Sequence, residues 1–271
     1  MAALRPSSPI VTLTTDFGNR DHYVASMKGV LLALNPALTI VDVSHEIRPQ
    51  QVLEAGFTLA CAFPAFPAGT IHVLVVDPGV GTSRRLLLAR TEHHFFLAPD
   101  NGALGLVFEE EPAREVIGIT AAHHFRNPAS PTFHGRDILA PVAARLALGT
   151  APAHFGEPVA DWVPSPAPPP GPPEGGRLRL QVLAVDRFGN VILNLKERFL
   201  AAARQPSAPG PFSLEIGGRR IHRLLRAYGE SEDAEPFALF NSCGYLEVAL
   251  RGGSAAALLG SAAGQHALLS L

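Results

Sequence analysis

The segment VVDPGVGTSRR, residues 75 to 85, places one carboxylate and two guanidinium groups on either side of a short glycine loop. Apolar residues from Val73 to Val76 run into Asp77, a Pro-Gly turn follows, and Arg84 and Arg85 close the stretch. An acid beside fixed positive charge can orient a small nucleophile, move a proton or hold an anion. The glycines first suggest phosphate. A Walker loop, however, ends in Gly-Lys-Ser/Thr, and the dinucleotide fingerprint needs a third glycine where Arg84 stands. Asp16-Phe17-Gly18 matches the kinase triplet alone, without the catalytic-loop and lysine motifs. These three phosphate chemistries are excluded.

Asp16, Asp77 and Asp100 each follow an apolar run that reads as a strand. Ligands of open α/β sheets bind beyond the carboxyl ends of the strands, so parallel strands would gather these acids at one edge. The competing reading is that aspartate favours turns by bonding its own backbone. Among the histidines, His93-His94 and His123-His124 are adjacent pairs without ligand spacing, so no metal site is expected. His134 sits in PTFHGRD beside Gly135, Arg136 and Asp137; taken alone it is a capping or surface residue. Further on, VDRFGN (185 to 190) and FNSCGYLEVA (240 to 249) break strands with Asp or Asn beside Gly. They are either ordinary hairpin turns or a set of amide and carboxylate groups able to grip a small polar ligand.

These side chains need elements to hold them. IVTLTT (10 to 15), TIVDVS (39 to 44) and TIHVLVV (70 to 76) read as strands, and RLLLAR and HFFLAP as two shorter ones. Residues 21 to 34 place Val24, Met27, Val30, Leu31 and Leu34 on one helical face, residues 50 to 63 form a second helix, and residues 137 to 148 a third that must tolerate Pro141. This alternation predicts an α/β domain with a largely parallel sheet over residues 1–160. Seven prolines between Pro164 and Pro173, then Gly175 and Gly176, mark residues 161–176 as an extended linker. Residues 177–271 carry short alternating β-branched runs with turn punctuation, which predicts a small all-β barrel or sandwich.

The 271-residue chain is nearly half apolar, so a sizeable core needs no disulfide. A formal net charge of −2 without blocks of like charge gives no reason to expect nucleic acid or a membrane surface as partner. Cys61 and Cys243 form no CxxC motif and read as reduced thiols. No apolar run nears the ~18 residues of a membrane span, and MAALRPSSPI lacks a signal-peptide core, so a cytoplasmic protein is expected.

Taken together, TLTTDFG, MKGVL, NPALTIVDVSHEI, VVDPGVGTSRR, APDNG, TFHGRDILAP, DRFGNVILN and FNSCGYLEVA resemble the S-adenosyl-L-methionine hydroxide adenosyltransferases, relatives of the bacterial fluorinase and chlorinase. The motifs run in order through nearly the whole chain. The resemblance implies an α/β domain, a C-terminal β-barrel, and a homotrimer whose ligand lies between the N-terminal domain of one subunit and the C-terminal domain of the next. It implies hydrolysis of S-adenosyl-L-methionine to adenosine and methionine, without cofactor. The family's catalytic Asp, Arg and His fall on Asp77, Arg84 and His134, and Arg85 reads as structural. Asp16 would take the ribose hydroxyls, Asn190 the adenine edge with Phe188 beside it, Asp186 and Ser242 the methionine amine, and Tyr228 would stack on adenine.

The halogenating relatives carry Tyr where Asp77 stands, a small hydroxyl residue near Val80, Ser at Gly135 and Arg at Cys243, together with a long insertion absent here. A recognisable halide pocket is therefore missing. A halogenase and a non-catalytic adenosyl- or adenosine-binding protein stand as alternatives, and a nucleotide phosphohydrolase as a more distant one.

Overall fold

The computed structural model describes residues 8–203 and 212–270. The chain divides into two compact units, one ending at Pro166 and the other beginning at Ala167.

The first unit is built on a seven-stranded sheet of β1 (Ile10–Thr15), β2 (Thr39–Ser44), β3 (Ile71–Val75), β4 (Leu86–Arg90), β5 (Phe95–Pro99), β6 (Glu115–Ile119) and β7 (Gly156–Pro158). Its order is β2-β1-β3-β5-β4-β6-β7. The expected parallel pairing holds for β2, β1, β3 and β5. Beyond β5 it gives way to antiparallel ladders through β4, β6 and β7. The reason is loop length: only residues 91 to 94 join β4 to β5, which suffices for a hairpin, whereas a parallel crossover needs a dozen residues or more.

Helices α1 (Tyr23–Leu34) and α4 (Ala140–Ala147) pack together, as do α2 (Val52–Ala62) and α3 (Gly105–Glu110). Met27 and Leu31 of α1 and Val142 and Ala143 of α4 share a core with Val11, Leu13, Val73 and Val75 from the sheet. Alternate strand positions face the other way, where Phe96 meets Phe63 at the end of α2, ring centroids 5.3 Å apart. The helix expected from residue 137 begins earlier, as a wider π turn over Gly135–Leu139 that passes into α4 with Pro141 in its first turn. Proline has no N–H to donate, so it interrupts the internal bonding at the point where the wider turn passes into α4.

The opening of the proline-rich stretch lies against this first unit. Arg85 donates to the Asp161 carboxylate and carbonyl, Val163 N–H donates to Asp100 Oδ1 at 2.7 Å, and Trp162 meets Phe108 edge-on.

The second unit is a seven-stranded antiparallel sheet of β8 (Arg177–Val185), β9 (Val191–Lys196), β10 (Ser213–Ile216), β11 (Arg219–Ile221), β12 (Phe237–Phe240), β13 (Tyr245–Ala249) and β14 (His266–Ser270). Its order is β11-β10-β14-β8-β9-β13-β12. Alternate residues Leu178, Leu180 and Val182 of β8 point into its core with Val191, Leu193 and Leu195 of β9. Short helices at Glu197–Ala203 and Ala255–Leu259 interrupt the all-β pattern. Among the described residues no helix is long and apolar enough to cross a membrane.

Candidate active site

Three neighbouring parallel strands, β1, β3 and β5, end in the acids that the sequence singles out, so Asp16, Asp77 and Asp100 do reach one edge of the sheet. Their partners separate them. Asp100 is 7% exposed and accepts from Arg85 Nε at 2.9 Å and from Val163 N–H. It is a structural clamp, and Arg85 is its partner, facing away from Arg84. Asp16 accepts from the backbone N–H of Gln50 at 2.8 Å, which fixes the loop following β1.

Asp77 is held differently. After β3 the chain turns sharply: Thr82 N–H donates to the Gly79 carbonyl at 3.1 Å, and the Thr82 hydroxyl to the same oxygen at 2.7 Å. Thr82 Oγ1 also accepts from the Arg84 N–H at 3.3 Å. The fold-back brings Arg84 over Gly79, where a Cβ would stand 3.0 Å from Arg84 Cγ and 3.7 Å from Asp77 Oδ1. Glycine is needed for that close approach. Arg84 then grips Asp77 with two parallel bonds, Nε to Oδ1 at 2.9 Å and Nη2 to Oδ2. Both side chains are nearly enclosed, 12% and 8% exposed.

His134 completes the set. It precedes the π turn, and Arg84 Nη2 lies 2.8 Å from its Nδ1. A guanidinium can only donate, so Nδ1 is the acceptor and the imidazole is neutral with its proton on Nε2. Burial and the charge of Arg84 push the His134 pKa below the ordinary histidine value, against the opposing pull of Asp77 and Asp137. The neutral form is thus the resting state at neutral pH.

The loop ahead of His134 is braced by Asp137, whose side chain is fully buried. It accepts from Arg126 Nη1 at 3.0 Å, from Arg136 Nε and Nη2 at 2.7 Å each, and from the Ser130 N–H at 2.9 Å. Phe133 lies edge-on to Phe17 of the TTDFG motif, so aromatic packing joins the Asp16 loop to the segment carrying His134. Gly135 packs on Met27 and Val75.

A cavity of about 710 Å³ lies in the second unit, lined by Asp186, Phe188, Asn190, Tyr228, Phe237, Ala249, Arg251 and the Gly252-Gly253 turn. Four of the residues singled out in the sequence meet here. Asp186 Oδ1 accepts from the Phe188 and Asn190 N–H groups, and Oδ2 from Asn190 Nδ2 at 2.8 Å. The Asn190 carbonyl oxygen of the backbone accepts from the Asp186 N–H at 3.0 Å, and its side-chain Oδ1 is left to accept from a ligand. Phe188 and Tyr228 are 78% and 52% exposed, so their faces are available for stacking. Ser242 is exposed on the turn between β12 and β13 and does not line this cavity. Sequence reading passes over Glu247, a buried acid between Leu246 and Val248 that accepts from the Tyr228 hydroxyl. An isolated acid inside an apolar strand is the signal that could have found it. Among the described residues no three His, Cys, Asp or Glu side chains converge as metal ligands.

Family models for the N-terminal and C-terminal domains of the SAM hydroxide adenosyltransferases match residues 11–156 and 180–267. The chain belongs to that family. It is 38% identical over 259 residues to a Thermus thermophilus protein named (R)-S-adenosyl-L-methionine hydrolase, covering 92% of this chain and 95% of the relative. A fluorinase from an Actinoplanes species is 28% identical over 222 residues, 72% of this chain and 74% of that one. A crystal structure of an uncharacterized conserved protein from Thermotoga maritima superposes with a TM-score of 0.85 at 32% identity, covering 97% of this chain and all of that one.

Proposed function

We propose that the protein hydrolyses S-adenosyl-L-methionine, in the (R) configuration at sulfur, to adenosine and L-methionine. The observation that carries this reading is the closed Asp77–Arg84–His134 set at the end of β3, in a chain of this family. The sulfonium is already a good leaving group, so the chemistry lies in the nucleophile, because free water has a pKa of about 15.7. Arg84 keeps N–H donors beyond those spent on Asp77 and His134, and these stabilise developing hydroxide. Asp77 fixes the guanidinium plane, and His134 offers its Nε2–H to orient the attacking oxygen. The oxygen bonds to ribose C5′, the C5′–S bond breaks with its electron pair passing to sulfur, and the water proton passes to the Asp77 carboxylate, the one base left in the set, and on to solvent. The sulfonium charge is cancelled, methionine departs as a neutral thioether, and no metal, redox partner or cofactor is required.

In this reading residues 1–160 carry the catalytic loop, residues 161–176 link the domains, and residues 177–271, closing as a small barrel, supply the substrate pocket. Asp16 takes the ribose hydroxyls, Asn190 and Phe188 the adenine, Tyr228 stacks on it, and Asp186 with Ser242 receives the methionine amine. The protein acts in the cytoplasm as a homotrimer, with N-terminal and C-terminal domains of neighbouring subunits completing each site.

The test is incubation with each sulfonium epimer in oxygen-18 water, with and without chloride, and mass analysis of the products. Adenosine carrying the heavy oxygen, formed from the (R) epimer, is expected. A 5′-chloro product would mean halogenation, and bound adenosine without turnover would mean a binding protein.

A further inference from the structure

Glu247 occupies β13, a strand buried along its whole length, and is itself 3% exposed. Its two partners are neutral: the Tyr228 hydroxyl donates to Oε1 at 2.6 Å, and Asn241 Nδ2 donates to Oε2 at 3.2 Å. A buried carboxylate without a cation is costly, and an apolar residue would serve the sheet better, as Ala249 does on the same side of the strand. The two bonds show what the acid holds. Tyr228 stands on a single 3₁₀ turn, Tyr228–Glu230, with its ring on the cavity wall and its hydroxyl tied down at Glu247. Asn241 uses its Oδ1 to accept from the Cys243 and Tyr245 N–H groups at 3.0 and 3.1 Å, shaping the turn that carries Ser242. One carboxylate therefore fastens an aromatic wall and a neighbouring turn.

We propose that Glu247 is a positioning residue that sets the Tyr228 ring and the Asn241–Gly244 turn for the adenosyl substrate, and so governs its affinity. This rests on the reading that the cavity takes that substrate. Burial and the nearby charge of Asp186 push the Glu247 carboxyl up, against the pull of its two hydrogen bonds.

The experiment measures KM and kcat for S-adenosyl-L-methionine and adenosine affinity by calorimetry, in wild type, Glu247→Gln, Glu247→Leu, Tyr228→Phe and the Tyr228→Phe/Glu247→Leu pair. Glu247→Leu is expected to raise KM and weaken adenosine about tenfold, the size of one lost bond to a charged group, with a smaller fall in kcat. Glu247→Gln, which keeps an acceptor for Tyr228, recovers most of the loss. The double variant is no worse than Glu247→Leu, because both act through one contact. Independent, multiplying effects, or a folded Glu247→Leu with wild-type KM, would overturn the positioning role. If Glu247→Leu does not fold, Glu247→Gln with a KM as poor as that of Tyr228→Phe overturns it equally. Wild-type protein that neither turns over the substrate nor binds adenosine would overturn the substrate reading itself, a distinct result.

Discussion

Replacing Asp137 by Asn keeps the shape of the side chain and removes its charge from between Arg126 and Arg136. The carboxylate accepts four N–H groups from a fully buried position. An amide offers one oxygen, and its own N–H₂ would face the donors that the second oxygen now serves. Breaking a buried ion pair from one side costs about 3–5 kcal/mol. The side chains of Arg126 and Arg136 are 48% and 28% exposed, so both can rehydrate. That relief brings the expected loss to about 2–3 kcal/mol, or roughly 5–10 °C in Tm for a unit of this size. Trp162 is the only tryptophan and packs on Phe108 in the first unit, so its fluorescence follows the relevant transition.

The sign with pH is fixed as well. Burial alone would raise the Asp137 pKa, but hydrogen bonds from Arg136 and Ser130 and the charges of Arg136 and Arg126 outweigh it, leaving it below the ordinary 3.8. A group with a depressed folded pKa contributes stability above its unfolded value and loses it as pH falls through the folded one. The Tm gap between wild type and Asp137→Asn should therefore be full at neutral pH and close in acid below about pH 4. As a control, Glu115→Gln in the half-exposed Arg90–Glu115 pair should move Tm little. Melting of Asp137→Asn together with wild type at pH 7, or a gap undiminished in acid, would refute the reasoning.

Asp77→Ala, Arg84→Ala and His134→Ala should each slow turnover by about 10²-fold or more while adenosine still binds, read by single-turnover product analysis; wild-type rates in all three would remove the triad from the chemistry. Turnover should fall as pH drops through the lowered His134 pKa, since protonation replaces its Nδ1 acceptor with a donor facing Arg84. Removing the Arg84 charge in Arg84→Met should move that limb to higher pH, and removing the Asp77 charge in Asp77→Asn to lower pH; movement in one direction for both would contradict the electrostatic account. Arg85→Ala leaves the buried Asp100 carboxylate unpaired, so it should lower Tm by several degrees with kcat within about threefold of wild type.

The strand ends were legible because an apolar run meets an acid at Asp16, Asp77 and Asp100. Which acid faces the chemistry was less so. Asp100 is neutralised by Arg85 across the β4–β5 hairpin, a pairing visible only when the four-residue link is read as antiparallel. The arginines take different partners, Arg84 going to Asp77 and Arg85 to Asp100, and sequence reading, which expects Arg85 to be structural, names no partner for it. Strands β6 and β7 and helix α3 left no periodic signal because they are only three to six residues long and owe their state to neighbours. Phe188 and Tyr228, 40 residues apart in the chain, meet in one cavity through sheet order, which residue spacing does not encode. Glu247 escaped for the complementary reason. Its partners Tyr228 and Asn241 lie 19 and 6 residues away, so nothing local marks it as more than a strand residue.

The packing around Gly135 constrains how this enzyme family could have exchanged one nucleophile for another. The halogenating relatives are expected to carry Ser there, yet a Cβ at this position would stand 3.2 Å from Met27 Sδ and 3.2 Å from Val75 Cγ1. Those side chains are 0% and 4% exposed and cannot swing into solvent. A serine introduced alone would need both to give by a few tenths of an ångström within the core beneath His134. The order of mutations therefore matters: a smaller residue at 27 or 75 would ease the change, so a route from hydroxide to halide, or back, runs through the packing beneath the pocket as well as through the pocket itself.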